Sequence, residues 1–235
     1  MSRKFKALTF SYDDGVTQDQ RLISLFNKYG LKCTFNINSG LLGTPNSLIR
    51  EDVTVAHVKP RKEEIRAIYA GHEVAAHTVH HPMLPSLSDE DIIKEVENDR
   101  IALSEIVGYE VVGMAYPGGG VNNDERVANV IKNHTGIRYA RTIASTHSFE
   151  VQNDLYRFNP TIHQHGEFDL TFKLAREFVE MEAKTPSIFY IWGHAYELDI
   201  HNTWDKMEEL CKLLSGRDDI FYATNSEILL SDEWH

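Results

Sequence analysis

The chain has 235 residues, a length that suits one α/β domain, and 42% hydrophobic content with 11 Phe, 10 Tyr and 3 Trp supplies a core and excludes disorder as the main state. Its 24 Lys and Arg against 35 Asp and Glu give a formal net charge of -11 with no basic tract, which argues against a nucleic-acid partner. No apolar run approaches the ~18 residues of a membrane span, and the apolar stretch after Arg3, Lys4 and Lys6 meets Asp13 and Asp14 too soon for a secretory h-region, so the expectation is a cytoplasmic chain with no membrane association.

Residues 5–12 read as a buried strand running into Asp13-Asp14-Gly15, and residues 18–28 follow as a helix with Leu22, Ile23, Leu25 and Phe26 on one face. Residues 32–38 form a second strand. From there to about Lys59 the polarity is mixed, which predicts an excursion with little regular structure. Residues 61–70 have helical spacing and stop at Gly71, ahead of a short strand at 73–76. Ser88 is the N-cap of a helix reaching about Val107, with Ile92, Ile93, Val96, Ile101 and Leu103 as its apolar stripe. Strands at 111–116, 137–142 and 155–163 alternate with helices at 124–133 and 169–183. A hydrophobic strand at 187–192 ends at Gly193-His194, and a helix at 204–214 and a strand at 220–223 complete the series before a loose end at 231–235. One continuous βα series without repeat or linker predicts a single domain over residues 1–235, a distorted (β/α) barrel of about seven parallel strands. Such barrels place their sites at the C-terminal strand ends.

Twelve histidines are the compositional oddity, and His72, His77, His80 and His81 fall within ten residues. Cys33 and Cys211 form no CxxC and read as small buried hydrophobes. Four polar segments end predicted strands: Ser11-Tyr12-Asp13-Asp14-Gly15, His77-Thr78-Val79-His80-His81-Pro82, Ala115-Tyr116-Pro117-Gly118-Gly119 and Trp192-Gly193-His194. Each alone has an ordinary explanation: a solvated Asp-Gly turn, a histidine-rich loop, a tight glycine turn, a core histidine. Together they suggest more. Two histidines four apart share one face of a helix and can converge on one ion. A carboxylate from another strand end would complete a two-His, one-carboxylate set with open positions, the layout of a catalytic metal. Of two adjacent Asp residues one can bind the metal while the other stays free to accept a proton. Pro117 has no N–H, so Gly118 offers the first free amide after it, a candidate oxyanion donor. Tyr116, Trp192, Tyr196 and Trp204 are read as sugar-stacking surfaces or rim packing, and His163 and His165 as surface residues.

These residues resemble the polysaccharide deacetylases, the NodB-homology family of carbohydrate esterases, with motifs in the family's order from Thr9 to His194. The resemblance implies that Asp13 is the base and Asp14 a metal ligand. It implies that His77 and His81 are ligands and His80 is not, since His77, Thr78, His81 and Pro82 match the family's His-Ser/Thr-x-x-x-His-Pro segment. It also makes His194, after the strand ending at Trp192, the general acid. Two departures matter. Where many members carry Arg-x-Pro, the Arg orienting the base, this chain has Ala115-Tyr116-Pro117, and Arg157 or Arg141 on later strands could stand in. The aromatic and acidic segment usual before the last motif is replaced by Leu155-Tyr156-Arg157-Phe158-Asn159-Pro160.

The implied activity is hydrolysis of an acetamide on an N-acetylated sugar or of a related amide, with one divalent ion, Zn²⁺ first and Co²⁺, Ni²⁺, Mn²⁺ or Fe²⁺ also compatible. Three other readings stay open: a small-molecule amidase of the same fold, a non-haem Fe(II) oxygenase using the same ligand set, and a non-catalytic carbohydrate-binding relative, made credible by Ala115.

Overall fold

The computed structural model describes residues 4–231. In chain order these fold as β1 (Lys6–Asp13), α1 (Asp19–Tyr29), β2 (Cys33–Ile37), β3 (Ser47–Arg50), β4 (Val53–Ala56), α2 (Ile65–Ile68), β5 (Glu73–Ala76), α3 (Asp89–Val107), β6 (Gly113–Ala115), α4 (Glu125–His134) and β7 (Tyr139–Arg141). Then follow β8 (Ile162–His163), α5 (Phe168–Glu180), β9 (Ser187–Gly193), α6 (Glu197–Ile200), α7 (Trp204–Leu214), β10 (Ile220–Tyr222) and α8 (Asn225–Leu229).

β1 is the axis of the main sheet because all eight of its residues are buried, so both of its edges and both of its faces can be covered. One edge pairs with β9 from Lys6 to Tyr12; the other is shared, with β10 on Lys6–Leu8 and β2 on Phe10–Asp13. The order β7-β6-β5-β2-β1-β9-β8 is parallel throughout, as expected for a (β/α) barrel. Its two edges meet where Phe158, just before β8, bridges Arg141 of β7, which draws the sheet round on itself. Parallel strands bring every C-terminal end to one rim, and Asp13, His77, Tyr116, Arg141, His163 and His194 all lie at or next to such an end.

The helices cover the outside through the apolar faces legible in the sequence. In α3, Ser88 Oγ accepts the Asp91 amide and Gly108 ends the helix in the left-handed conformation. Its buried stripe is Ile92, Val96, Asp99, Leu103 and Val107; Ile101, expected in it, is 43% exposed. Three other expectations change. The stretch before Lys59 contains the β3–β4 hairpin. Residues 155–157 form a 3-10 turn, because Asp154 accepts the amides of Tyr156 and Arg157, and the expected 155–163 strand is reduced to Ile162–His163 and the single bridge at Phe158. α6 and α8 were not anticipated. Cys33 and Cys211 are buried and free. No helix among the described residues is long and apolar enough to cross a membrane. Beyond Ser231, the expected loose end lies outside the described residues.

Candidate active site

A cavity of about 480 Å³ opens at the C-terminal rim, lined among others by Asp13, Asp14, His77, His81, Gly118 and His194. That volume lies within the ~300–1,000 Å³ of small-molecule sites. Residues separated by up to 181 positions in sequence therefore share one wall because of the parallel topology, as expected of a barrel rim.

Asp14 Oδ1 lies 3.9 Å from His77 Nε2 and 3.6 Å from His81 Nε2. The histidines do not sit on a helix face as the four-residue spacing suggested. Residues 77–81 are irregular loop with Thr78 (φ 67°) and His81 (φ 61°) left-handed, and Asp14 is left-handed too (φ 79°). Such conformations cost energy in residues other than glycine and concentrate where a geometry is functionally required. The loop is held by Asn38, whose Nδ2 donates to the Thr78 carbonyl at 3.0 Å, by Thr78 Oγ1 accepting the His81 amide at 3.0 Å, and by the Val79 amide on Glu95 of α3.

The donor set fits a divalent cation. His77 Nδ1 is 2.8 Å from the Ala115 carbonyl, which can only accept, so Nδ1 carries the proton and Nε2 turns a lone pair toward the Asp14 carboxylate. Burial holds the His77 pKa at about 4, so the ring is neutral at physiological pH. Burial alone would raise the Asp14 pKa, but the hydrogen bond from His57, with Lys59, His194 and His77, holds the carboxylate well below its usual range. The His77 lone pair facing an ionised carboxylate calls for a positive charge between them, and His81 Nε2 on the same Asp14 oxygen offers a third ligand. His57 Nε2 reaches Asp14 Oδ2 at 3.1 Å, leaving Oδ1 to face the two imidazoles. Lys59 Nζ bonds the Asp14 carbonyl. Both come from the segment after β4, whose mixed polarity gave no sequence signal.

Asp13 faces the same cavity with different partners. Arg141 Nη2 donates to both carboxylate oxygens, and Asn36 Nδ2 donates to Oδ1 at 2.8 Å. Burial would push the Asp13 pKa up; Arg141, then His77 and His194, outweigh it and hold the carboxylate ionised. Arg141, not Arg157, is thus the arginine on Asp13. Arg157 lies on the 3-10 turn and pairs with Asp154 at 2.9 Å. The register explains how Arg141 can take over: Ala115 on β6 is the direct partner of Arg141 on β7, so the guanidinium comes from one strand over at the same level of the barrel.

His194 Nδ1 is 2.9 Å from Glu197 Oε1, and its amide donates to Oε2 at 3.0 Å. Burial would lower the His194 pKa, but the Glu197 carboxylate, with Asp14 and Asp13 behind it, raises it to about 9. Glu197 opens α6 three residues after His194, and its spacing was the signal that could have identified it. His163 also reaches Glu197 Oε2, at 3.1 Å, and lines the cavity with His165, against the expectation of surface residues.

Trp192 lines the cavity but carries His163 stacked at 4.1 Å and the Arg141 guanidinium 4.4 Å from its ring, so its ring serves packing and not a free sugar platform. Tyr116 and Tyr196 are buried and also line the cavity. Trp204 lies outside it, under Arg21 and bonded to Asp199. Gly118 adopts φ 82°, and a Cβ there would come within 2.3 Å of Met83 Sδ, so glycine is required at this turn. His80 turns away to Glu95, and His72 to Asn27.

Residues 1–140 match the polysaccharide deacetylase family. The chain belongs to that family. The matched span holds Asp13, Asp14, His77 and His81 and ends one residue before Arg141, so His194 and Glu197 lie beyond it. The chain is 27% identical over 124 residues to the peptidoglycan-N-acetylmuramic acid deacetylase PdaC of Bacillus subtilis, a stretch of 52% of this chain and 23% of that protein. It thus spans about a quarter of the curated relative it matches. Among solved structures, a Mycobacterium smegmatis protein assigned to the polysaccharide deacetylases aligns with TM-score 0.68 at 16% identity, covering 97% of this chain and 90% of that one. A family 4 acetyl xylan esterase of Clostridium thermocellum, solved with a cobalt ion, aligns with TM-score 0.60 at 14% identity over 95% and 90%. These structures share the barrel fold.

The His194–Glu197 contact gives a testable pH dependence. A proton donor works below its pKa, so activity requiring protonated His194 falls as pH rises through that value. The Glu197→Gln variant is expected to move the alkaline limb of kcat/KM from near 9 toward the ordinary 6.5, because Glu197 is the largest contribution raising it. A cation at Asp14 lowers the starting value but leaves the direction of the shift. An unmoved limb would remove His194 from the acid role.

Proposed function

We propose that the protein is a metal-dependent hydrolase that removes an acyl group, acetyl first, from the nitrogen of an N-acetylated sugar or a small amide. The observation that carries this reading is the opposed pairing on either side of one ligand set: Asp13 is locked by Arg141 and Asn36, which favour its ionised form, and His194 Nδ1 sits on the Glu197 carboxylate, which favours its protonated form. Amide hydrolysis needs both, because attack by water releases a proton and the amine leaves only when protonated.

Asp14, His77 and His81 would hold the cation, of which Zn²⁺ suits two imidazoles and one carboxylate best. When bound, it supplies Lewis-acid polarisation of the substrate carbonyl and lowers the pKa of water. Asp13 takes the proton of the attacking water through Oδ2, which accepts from Arg141 while Oδ1 accepts from both Arg141 and Asn36. Arg141 and Asn36 fix the carboxylate's direction. The Gly118 amide on the cavity wall donates to the developing oxyanion. His194, aligned by Glu197, passes its proton to the departing nitrogen. A facial-triad oxygenase has no use for a second carboxylate locked by a buried arginine or for a protonated acid opposite it.

The hairpin residues Arg50 and Glu51 wall one side of the cavity, which suits a short oligosaccharide or a small amide. The test is acetate release from chitooligosaccharides and from simple N-acyl compounds under anaerobic conditions. Release without oxygen or co-oxidant is the expected result; absence of hydrolysis with every acyl amide by metal-loaded protein would leave the non-catalytic binding reading.

A further inference from the structure

A second cluster of ligating groups sits at the mouth of the cavity. His165 Nε2 and His201 Nε2 are 3.4 Å apart, and Glu51 meets both, Oε1 at 3.3 Å from His165 and Oε2 at 3.4 Å from His201. The three groups come from three separate pieces of chain: the tip of the β3–β4 hairpin, the loop after β8, and the residue ending α6.

An imidazole nitrogen carries either one proton or one lone pair, and an ionised carboxylate only accepts. Two protonated Nε2 atoms could each donate to one Glu51 oxygen, but two neutral rings that turn their Nε2 lone pairs inward form, with the carboxylate, a converging three-ligand set. A cation at the centre satisfies all three at once. Tetrahedral zinc with bonds of about 2.0–2.2 Å sets its ligand atoms roughly 3.3–3.5 Å apart, which matches the 3.4 Å between the two Nε2 atoms, while the Glu51 carboxylate meets the rings with its two oxygens separately, at 3.3 and 3.4 Å. Two imidazoles select a transition-metal ion over Mg²⁺ or Ca²⁺.

The backbone that presents Glu51 points the same way. Glu51 and Asp52 form the two-residue hairpin turn with φ of 51° and 62°, a geometry that Asn-Gly or Asp-Gly adopts at less cost. Glutamate is held there against its preference, with its carboxylate on the two histidines, and Asn202 beside His201 is left-handed as well (φ 49°).

We propose that Glu51, His165 and His201 form a second divalent-metal site of the zinc class, separate from Asp14, His77 and His81, which clamps the β3–β4 hairpin to the barrel rim beside the cavity mouth. Three protein ligands leave one coordination position open to solvent or to a substrate hydroxyl.

The test is metal stoichiometry of the full chain after zinc loading and desalting, with hydrogen exchange over residues 47–56 as a second reading. The wild type is expected to retain two zinc ions per chain, and metal slows exchange in the hairpin. A Glu51→Gln/His201→Ala variant, changing two surface side chains, is expected to retain one ion and lose the slowing; circular dichroism checks its fold, and a single His165→Ala variant repeats the reading. Asp14→Ala/His77→Ala is expected to retain one ion and keep the slowing, whereas two ions in that variant would count against the catalytic ligand set alone. One ion in the wild type, or two in Glu51→Gln/His201→Ala, would overturn the clamp; the latter would assign the second ion to His163, His194 and Glu197, which also face one another.

Discussion

Asp13→Asn is expected to lower kcat by ~10²–10⁴-fold, the usual contribution of a general base, while the metal still binds. The reason lies in the division between adjacent carboxylates. Asp14 is turned by its left-handed backbone toward His77 and His81, and Asp13 is turned toward Arg141 and Asn36. The amide retains the size and one acceptor oxygen but cannot take a proton from water. Acetate release and zinc content measured on the same preparation separate the two roles. Near wild-type turnover in the variant would assign the base elsewhere.

Arg141→Met is expected to cost both stability and activity. Arg141 is completely buried and its partner Asp13 nearly so, and breaking a buried pair from one side leaves an uncompensated charge worth about 3–5 kcal/mol. The pH profile gives the sharper reading. Asp13 works ionised, so activity is present above its folded-state pKa and is lost as pH falls through it. Arg141 is the largest influence lowering that pKa; without it, burial acts unopposed by the guanidinium and the acid limb of kcat/KM moves to higher pH. The stability that a depressed carboxylate pKa contributes above its unfolded value disappears in the same variant. An acid limb that stays in place would mean Arg141 is structural only.

The barrel and the rim were legible because hydrophobic strands and amphipathic helices alternate without interruption, and a parallel sheet leaves its chemistry at one end. Asp13, Asp14, His77, His81 and His194 could be picked out because each follows a recognisable strand. His57 and Lys59 could not, since they belong to a hairpin excursion whose polar and apolar residues follow no period, and they reach Asp14 only by tertiary folding. Asp99 was hidden differently. It occupies a core position of α3, where a carboxylate interrupts the apolar stripe, and there it accepts the amides of Ser39 and His77. A polar residue in a buried stripe was the available signal. The arginine question shows the boundary most clearly: two candidates were compatible with the chain order, and only the β6–β7 register decides between them.

The most direct measurement is acetate release by protein stripped of metal and then reloaded with Zn²⁺ or Co²⁺, run alongside Asp14→Ala. Activity is expected to vanish on stripping, to return on reloading in the wild type, and to stay absent in the variant. Turnover by the stripped chain, or full recovery in Asp14→Ala, would contradict a cation held by Asp14, His77 and His81 as the centre of the reaction.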